Sequence, residues 1–445
     1  MPAAPFGVGG ARQTGAMLAV CTPGSAGCSV TLLSDDGAPL ASGPGAGVRG
    51  PGGTTYPGLP DAVRHLEAPG ARWVWDDTTR RYPEVLAAGL RVERCTDLRL
   101  THRLLRASAR AAGSALQESP RGAWDDLEPL LTVTPAEPSP DALFELAPGP
   151  RDGRRDADVD PLAELRSQAD AVAGADRSGA LRLLLAAESA GALVAAEMRH
   201  AGLPWSAEAH DAILTERLGP RPALGARPAR LEALAVRIRA ALDAPALNPD
   251  SAPALLRALG YAGVPVESTR QWDLESVDHP VVAPLLEYKK LSRLLTANGW
   301  AWLDAWVRDG RFRPEYVVAG APSGRWATSG GGALQLPHAV RAAVVADPGW
   351  VLVVADAAQL EPRVLAGLAR DERMAQAGRG RDLYQGMVDV GAVETRDDAK
   401  VGVLGAMYGG TTGQSALLAP RLQRAFPDAV GLVEAAARAG SAASP

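Results

Sequence analysis

The residues whose types and spacing could do chemistry begin with an acid at the end of an apolar run. Trp350 to Ala355 is an unbroken apolar run that ends on Asp356, and Glu361 follows at the start of a helical apolar pattern. The run predicts a strand that is buried on both faces of a sheet. A carboxylate at the tip of that strand could hold a divalent metal ion. Taken singly, Asp356 is also typical of a helix N-cap.

A second group of residues shares one face of a predicted helix. Thr395 followed by Asp398 is typical of a capping box at the start of a helix. Four residues of this predicted helix, spaced four positions apart, form one stripe along its surface. The stripe consists of Arg396, Lys400, Leu404 and Tyr408. Arginine can hold phosphate oxygens bidentately and lysine acts as a point charge, so the stripe would suit a nucleoside triphosphate. The pattern is also typical of a solvated amphipathic helix.

Three segments, in order, resemble motifs of the family A DNA polymerases, the DNA polymerase I type. DAAQLEPR at 356–363 is similar to motif A, usually written DYSQIELR. SGRWATSGGGALQLP at 323–337 resembles the family's preceding TGRLSS…NLQNIP segment, and ETRDDAKVGVLGAMYGG at 394–410 resembles motif B, R-x-x-x-K-x-x-x-F-G-x-x-Y-G. The resemblance runs from about residue 181 to the C-terminus, and the chain resembles the compact actinobacterial bifunctional 3′–5′ exonuclease/DNA polymerase proteins.

The resemblance implies a metal-dependent nucleotidyl transfer. Asp356 would bridge two Mg²⁺ ions, for which Mn²⁺ could substitute, with the Ala357 carbonyl as a further ligand. Such ions, about 3.5–4 Å apart, activate a primer hydroxyl and stabilise the leaving pyrophosphate. Arg396 and Lys400 would neutralise the triphosphate and are the other residues expected to be catalytic. The implied function is a template-directed DNA polymerase that adds dNTPs to a primer 3′-OH in replication or repair.

The resemblance also implies contacts to the nucleotide and to primer–template DNA. Glu361 would exclude a ribose 2′-OH and pair with Tyr408. Leu404 departs from the family's Phe or Tyr, and Tyr384 replaces a phosphate-contacting His. The residues expected to bind the nucleotide are Gln359, Glu361, Asp382, Leu404 and Tyr408. Those expected to bind DNA are Lys289, Lys290, Arg293, Arg325, Gln335 and Arg341. From the sequence alone, the charges around 289–293 are more typical of a solvated helix face.

The family's motif C, a His-Asp-Glu on a palm hairpin with a second metal-binding Asp, has no counterpart in the sequence given. No His follows His338, and the sequence stops at SAASP. The expectation is therefore an incomplete palm sheet and impaired polymerase activity. The alternative function is a non-catalytic module that binds primer–template DNA.

The N-terminal region resembles a 3′–5′ proofreading exonuclease domain of RNase H-like fold, through WVWDDTTRRYPEVLAAGLRVERCTDLRLTHRLL. That chemistry needs several carboxylates, and the candidates are Asp76, Asp77 and Asp97. No Asp-x-Glu lies on an early strand, and Arg80 stands where an acid is expected. We therefore expect a degenerate scaffold, with residual 3′–5′ exonuclease activity as a further alternative.

Composition narrows the class of protein and its compartment. The chain has 445 residues, a formal net charge of −5 and three cysteines without metal-ligand spacing. Sparse cysteines are typical of a reducing cytoplasm. Residues 1–10 do not resemble a signal peptide, and no apolar run approaches membrane-spanning length. We expect a cytoplasmic monomer without a membrane partner.

The predicted fold class is α/β, with a degenerate exonuclease-like domain followed by a right-hand polymerase domain with an incomplete palm. The predicted domains are the exonuclease-like domain at 1–115, a Pro/Asp/Gly-rich linker at 116–161 and a polymerase-like domain at 162–445, divided into thumb (about 180–305), palm (about 306–370) and fingers (about 371–445). Strands are expected within Met17–Ser34 and at Arg72–Trp75, and helices at Tyr82–Leu90 and Asp97–Arg110.

Overall fold

A computed structural model describes most of the chain, which forms two compact units, Met1–Trp350 and Val351–Pro445. The described residues are 17–24, 27–34, 37–40, 48–50, 53–67, 70–127, 159–264, 266–275, 277–321, 324–410 and 413–442. Most of the predicted linker, together with Ser323 of the segment before motif A, lies outside these residues. The limits of the units differ from the predicted domain limits, which stay predictions.

The first unit begins with a six-stranded mixed sheet. Its strands are β1 (Met17–Gly24), β2 (Gly27–Ser34), β3 (Val48–Gly50), β4 (Gly53–Tyr56), β5 (Ala71–Trp75) and β6 (Cys95–Asp97). Their order across the sheet is β3-β4-β2-β1-β5-β6. The pair β1–β2 is antiparallel, whereas β5 runs parallel to β1 and β6. The strands predicted within Met17–Ser34 and at Arg72–Trp75 are confirmed.

Helices cover both faces of this sheet. The helices around it are α1 (Leu59–Leu66), α2 (Thr78–Ala87), α3 (Leu98–Ala107), α4 (Ala115–Glu118), α5 (Pro161–Ala173) and α6 (Ser178–Ala201). Trp73 and Trp75 pack with α1 and α2 on one face, and Val74 packs with α3 and α5 on the other. All three strand residues are fully buried. A parallel strand with both faces covered reads as a continuous apolar run, which is why β5 was predictable.

The rest of the first unit is mainly helical. Its helices are α7 (Ala207–Leu218), α8 (Ala229–Ala241), α9 (Ala252–Tyr261), α10 (Gln271–Glu275), α11 (Val282–Asn298) and α12 (Trp300–Trp306). Its short strands are β7 (Leu203–Pro204), β8 (Val307–Arg308), β9 (Arg311–Phe312), β10 (Glu315–Val317) and β11 (Ala327–Gly330). The core contains an aromatic group in which the Trp302 ring lies 5.3 Å from Trp205 and 4.8 Å from Phe312. Ring contacts of this kind fix where β9 packs against α12.

The second unit contains six helices among its described residues. They are α13 (Leu360–Ala369), α14 (Glu372–Gly378), α15 (Leu383–Asp389), α16 (Arg396–Tyr408), α17 (Gly413–Ala425) and α18 (Pro427–Ala442). Their buried residues form one core, in which Met374, Met387 and Phe426 are at most 2% exposed. The helices therefore have a common interior that can hold their outer faces in position.

The predicted strand at 350–355 is wrong. Residues 351–357 are irregular, and none of the described strands pairs with them. The side chains are exposed to solvent, from 46% at Leu352 to 92% at Val354. A strand is stable only when neighbouring strands bond its N–H and C=O groups. The apolar run indicates a tendency to form a strand, but it does not supply the neighbour.

Helix α6 is long and apolar enough to cross a membrane by length and composition, although only one described helix passes this test. It also makes packing contacts of a kind found in globular cores. The Ser189 hydroxyl accepts a hydrogen bond from Asp97 N at 3.2 Å, and the Ser189 carbonyl accepts one from Cys95 Sγ at 3.3 Å. The helix is therefore joined to β6 by polar contacts as well as by packing.

We expect Gly386→Ala to destabilise the second unit, because α14 and α15 are too close for a side chain there. A Cβ on Gly386 would lie 1.9 Å from the Ala377 carbonyl oxygen, so backbone must shift. The free energy of unfolding in urea should fall by about 1–3 kcal/mol. Gly367→Ala in α13 is the matched control, since its Cβ would meet nothing within 4 Å. Equal stability of the Gly386→Ala variant and the wild type would contradict the packing.

Candidate nucleotide-binding site

Helix α16 presents the predicted stripe to solvent. It is capped by Thr395, whose Oγ1 accepts a hydrogen bond from Asp398 N at 3.1 Å, and it ends where Gly409 adopts a positive φ of 73°. The side of the helix that carries Ala399 and Val403 is buried in the core. The opposite side is open, with Arg396, Lys400 and Tyr408 exposed and Leu404 half-buried. Arg396 and Lys400 are one helical turn apart, and both are accessible to solvent because the opposite side of α16 is the buried one.

Asp382 holds the Arg396 guanidinium in place. The carboxylate accepts from Arg396 Nη2 at 2.8 Å and from Nε at 3.3 Å. The Arg396 guanidinium also lies over the Tyr384 ring, 5.6 Å from its centroid. The hydrogen bond from Arg396 lowers the pKa of Asp382, and the same bond raises the pKa of Arg396. The pair is therefore ionised and oriented, which is the state needed to receive an anion.

Gln359 connects this ion pair to the start of α13. Its Nε2 donates to Asp382 Oδ2 at 3.0 Å, and its Oε1 accepts from Leu383 N at 3.3 Å. Gln359 has a left-handed backbone with a φ of 49°, which turns the irregular segment into the helix. The sequence predicted nucleotide binding for Gln359 and Asp382 but missed their contact, for which it carries no local signal.

Arg363 serves the fold of the second unit. Its guanidinium donates to the carbonyls of Gly378 at 2.5 Å and Arg381 at 2.6 Å, and its Nε donates to Ala358 O at 3.0 Å. An arginine whose donors are satisfied by backbone carbonyls fixes a loop more readily than it binds a ligand. Arg363 thus holds the segment before Asp382 against the start of α13.

The predicted metal ligands lie in the irregular segment before α13. Asp356 and Ala357 are both exposed. Over the part of the chain that the structure describes, no group of three or more His, Cys, Asp and Glu side chains could hold a metal ion. Glu361 lies in the first turn of α13, and Tyr408 is the last residue of α16. Their pairing stays a prediction.

The predicted DNA contacts all lie in the first unit. On α11, Lys290 and Arg293 are exposed, whereas the Lys289 ammonium donates to Thr269 Oγ1 at 2.6 Å. Burial lowers the pKa of Lys289. Arg325, just before β11, is exposed, and so are Gln335 and Arg341 after it. Lys290 and Arg293 therefore present a charged helix face, while Lys289 is engaged within the fold.

The three N-terminal acids are neutralised by arginines or used as helix caps. Asp76 forms a two-fold hydrogen bond with Arg81, both distances being 2.7 Å, and Asp77 pairs with Arg99 at 3.1 Å. Asp97 accepts from Thr78 N at 2.8 Å and from Leu100 N at 2.9 Å. The three acids are at most 1% exposed. Guanidinium groups supply the positive charge that these buried carboxylates need.

Comparisons with known proteins show what the C-terminal part of the chain is similar to. Residues 259–423 match the model of DNA polymerase family A. The thermostable DNA polymerase I of Thermus filiformis is 33% identical over 131 residues, which are 26% of this chain and 15% of the relative. DNA polymerase I of Chloroflexus aurantiacus is 32% identical over 151 residues, which are 29% of this chain and 16% of the relative. The matches thus span about a sixth of the relatives' length.

The similarity to DNA polymerase family A covers residues 259–423, which are less than half of the chain. The whole chain also shares a fold with the POL domain of Pol1 from M. smegmatis, solved in complex with DNA primer-template and dNTP. The TM-score is 0.60 at 18% identity, over 94% of this chain and 73% of the other. The predicted resemblance to the family A DNA polymerases is confirmed over residues 259–423. The predicted α/β polymerase fold is confirmed by the structural likeness.

We expect the first unit to lose stability as pH rises through the titration of Asp97. Burial is the largest cause that raises the pKa of Asp97, to about 6, whereas an unfolded Asp titrates near about 3.9. Protonated Asp97 therefore stabilises the folded state at pH values below the pKa of the unfolded chain. This stabilisation is lost as pH rises through the pKa of the folded state. The stability advantage of the wild type over Asp97→Asn should fall by about 2 kcal/mol between pH 4 and pH 7. Urea titrations followed by tryptophan fluorescence measure this, and parallel pH profiles would contradict it.

Proposed function

We propose that the chain binds a deoxynucleoside triphosphate on α16 and transfers its nucleotidyl group to the 3′-hydroxyl of a template-paired primer. The observation that carries this proposal is the exposed pair Arg396 and Lys400, one helical turn apart, with Arg396 already oriented by Asp382. An incoming triphosphate needs several positive charges at fixed spacing, and little covalent chemistry is asked of the protein. The family relationship of residues 259–423 supports the reaction class.

Arg396 and Lys400 would contact the phosphates in different ways. Arg396 would keep its contact with Asp382 and present its remaining N–H groups to phosphate oxygens, since a guanidinium has five donors. No carboxylate lies within ion-pair distance of Lys400 among the residues that the structure describes, so its charge is available to a ligand. Leu404 and Tyr408, farther along the same side, would contact the sugar and base with Glu361.

A divalent metal ion fits this site in part. The Asp356 carboxylate and the Ala357 carbonyl are the oxygen donors that Mg²⁺ prefers, and Mg²⁺ often binds through one carboxylate, substrate phosphates and water. One Mg²⁺ or Mn²⁺ ion could therefore be held by these residues together with the triphosphate. When bound, it would stabilise the charge that develops during transfer. Since no group of three or more His, Cys, Asp and Glu side chains among the described residues could hold a metal ion, we propose one ion rather than two.

Primer–template DNA is the proposed macromolecular partner. The Pol1 POL domain that shares this fold was solved with a primer-template and dNTP, and this supports the same pair of ligands here. Lys290 and Arg293 would contact phosphates, which position a duplex without reading its sequence. Arg325, Gln335 and Arg341 would contribute further polar contacts. We also propose that the protein acts as a cytoplasmic monomer and that its N-terminal part is a scaffold without exonuclease activity.

A second candidate function is binding of primer–template DNA without turnover. It is favoured by the exposed, unpaired segment 351–356, which presents Asp356 on irregular backbone. Catalytic geometry must be held to within a fraction of an ångström by a rigid support. Under this candidate, α16 would still bind a nucleotide, but transfer to the primer would not follow.

We expect Arg396→Gln to weaken binding of dATP in the presence of Mg²⁺ and a dideoxy-terminated primer whose next template base is thymine. Loss of a charge-assisted hydrogen bond to phosphate should lower the affinity by about tenfold or more. Isothermal titration calorimetry measures the change. Arg421→Gln is the matched control, because Arg421 is a half-exposed arginine of the same unit that pairs with Glu394. Unchanged dATP affinity in Arg396→Gln would remove α16 from the nucleotide site.

A further inference from the structure

A cavity of about 250 Å³ lies within the first unit, and none of the residues proposed to bind nucleotide, metal or DNA lines it. Its walls come from α2, α3, α6 and β10. The apolar part of the lining includes Pro83, Leu86, Leu100, Ala195, Ala196 and Val318. Protein interiors are close-packed, so a space of this size between four elements is a candidate for a ligand rather than a packing fault.

The cavity exists because α6 presents alanines where larger side chains would fill it. Ala192, Ala195 and Ala196 follow the three- and four-residue spacing of one helix side, and all three line the space. A cavity of about 150 Å³ is known to accommodate one benzene ring. The volume here is larger, so one or two fused rings would fit against the alanine side of α6, and the half-buried Tyr316 is also part of the lining.

The polar part of the lining is dominated by cations. It contains three arginines against one glutamate, together with His200 and Thr79. Arg99 is 2% exposed and pairs with Asp77 at 3.1 Å, and Arg199 pairs with Glu315 at 2.6 Å. Both charges are therefore already compensated by carboxylates of the fold.

Arg313 differs from the other two arginines of the cavity. Its guanidinium donates to the carbonyls of His200 at 3.3 Å and Arg308 at 3.4 Å. Across the described residues, no carboxylate lies within ion-pair distance of Arg313. Backbone carbonyls orient the group but leave its net charge in place, so the cavity combines apolar walls with one uncompensated cation.

We propose that this cavity binds a compact aromatic anion. The rings would pack between the alanines of α6 and the apolar side chains of α2 and α3, and the anionic group would lie against Arg313. A nucleoside monophosphate and an aromatic sulfonate or carboxylate share this chemistry. The proposal is independent of nucleotide binding on α16.

The test uses the 445-residue protein and two probes, 1-naphthalenesulfonate followed by isothermal titration calorimetry and dAMP as its competitor. We expect saturable one-to-one binding of the sulfonate by the wild type and by Arg396→Gln. Ala196→Leu, which fills the cavity, should lower the affinity at least tenfold. Arg313→Gln should lower it by about tenfold, as expected for a lost charged contact. Arg308→Gln is the matched control, because that exposed side chain is not in the lining and its carbonyl is retained.

Competition by dAMP would identify a nucleotide as the source of the anion, whereas sulfonate binding without competition would identify a non-nucleotide aromatic anion. Circular dichroism establishes whether each variant is folded. If Ala196→Leu does not fold, Ala195→Val replaces it as the variant that fills the cavity. The proposal is overturned if neither probe binds in a one-to-one complex. It is also overturned if binding is unchanged when the cavity is filled.

Discussion

The carboxylate of Asp382 is the group on which the candidate site depends, because three helices meet at it. It caps α15 by accepting from Gln385 N at 3.0 Å, it accepts from Gln359 Nε2 at the start of α13, and it pairs with Arg396 at the start of α16. One side chain thus connects the segment 356–363, which resembles motif A, with α16, which carries the segment that resembles motif B. Without it, the Arg396 guanidinium would lose the carboxylate that orients it.

The two units use pairs of carboxylate and guanidinium groups for different purposes. In the N-terminal sheet the pairs are buried, since Asp77 is 0% and Arg99 is 2% exposed, and breaking one partner would leave an uncompensated charge inside the protein. In the second unit Arg396 is exposed, so the pair can exchange part of its hydrogen bonding with a ligand. The buried Arg99 therefore stabilises the fold, whereas the exposed Arg396 is the arginine that we propose to bind a nucleotide.

Features encoded within one turn of helix or one strand were predictable from the sequence. The cap at Thr395 and the solvent-facing stripe of α16 are of this kind, because both depend on residues three or four positions apart. The contacts of Asp382 with Arg396, and of Asp76 with Arg81, were not predicted, because they depend on how helices and loops pack. The run at 350–355 was misassigned for a related reason: apolar composition favours a strand, but a strand also needs a neighbour to complete its hydrogen bonds.

Primer extension by the purified 445-residue chain, with Mg²⁺ and all four dNTPs, tests most directly whether this site carries out nucleotidyl transfer. Asp356→Ala is measured beside the wild type, and primer–template binding is measured for both by fluorescence anisotropy. The account predicts template-directed extension by the wild type that is lost in Asp356→Ala while DNA binding is retained. Intact primer–template binding without extension by the wild type would contradict it and would establish the binding module in its place.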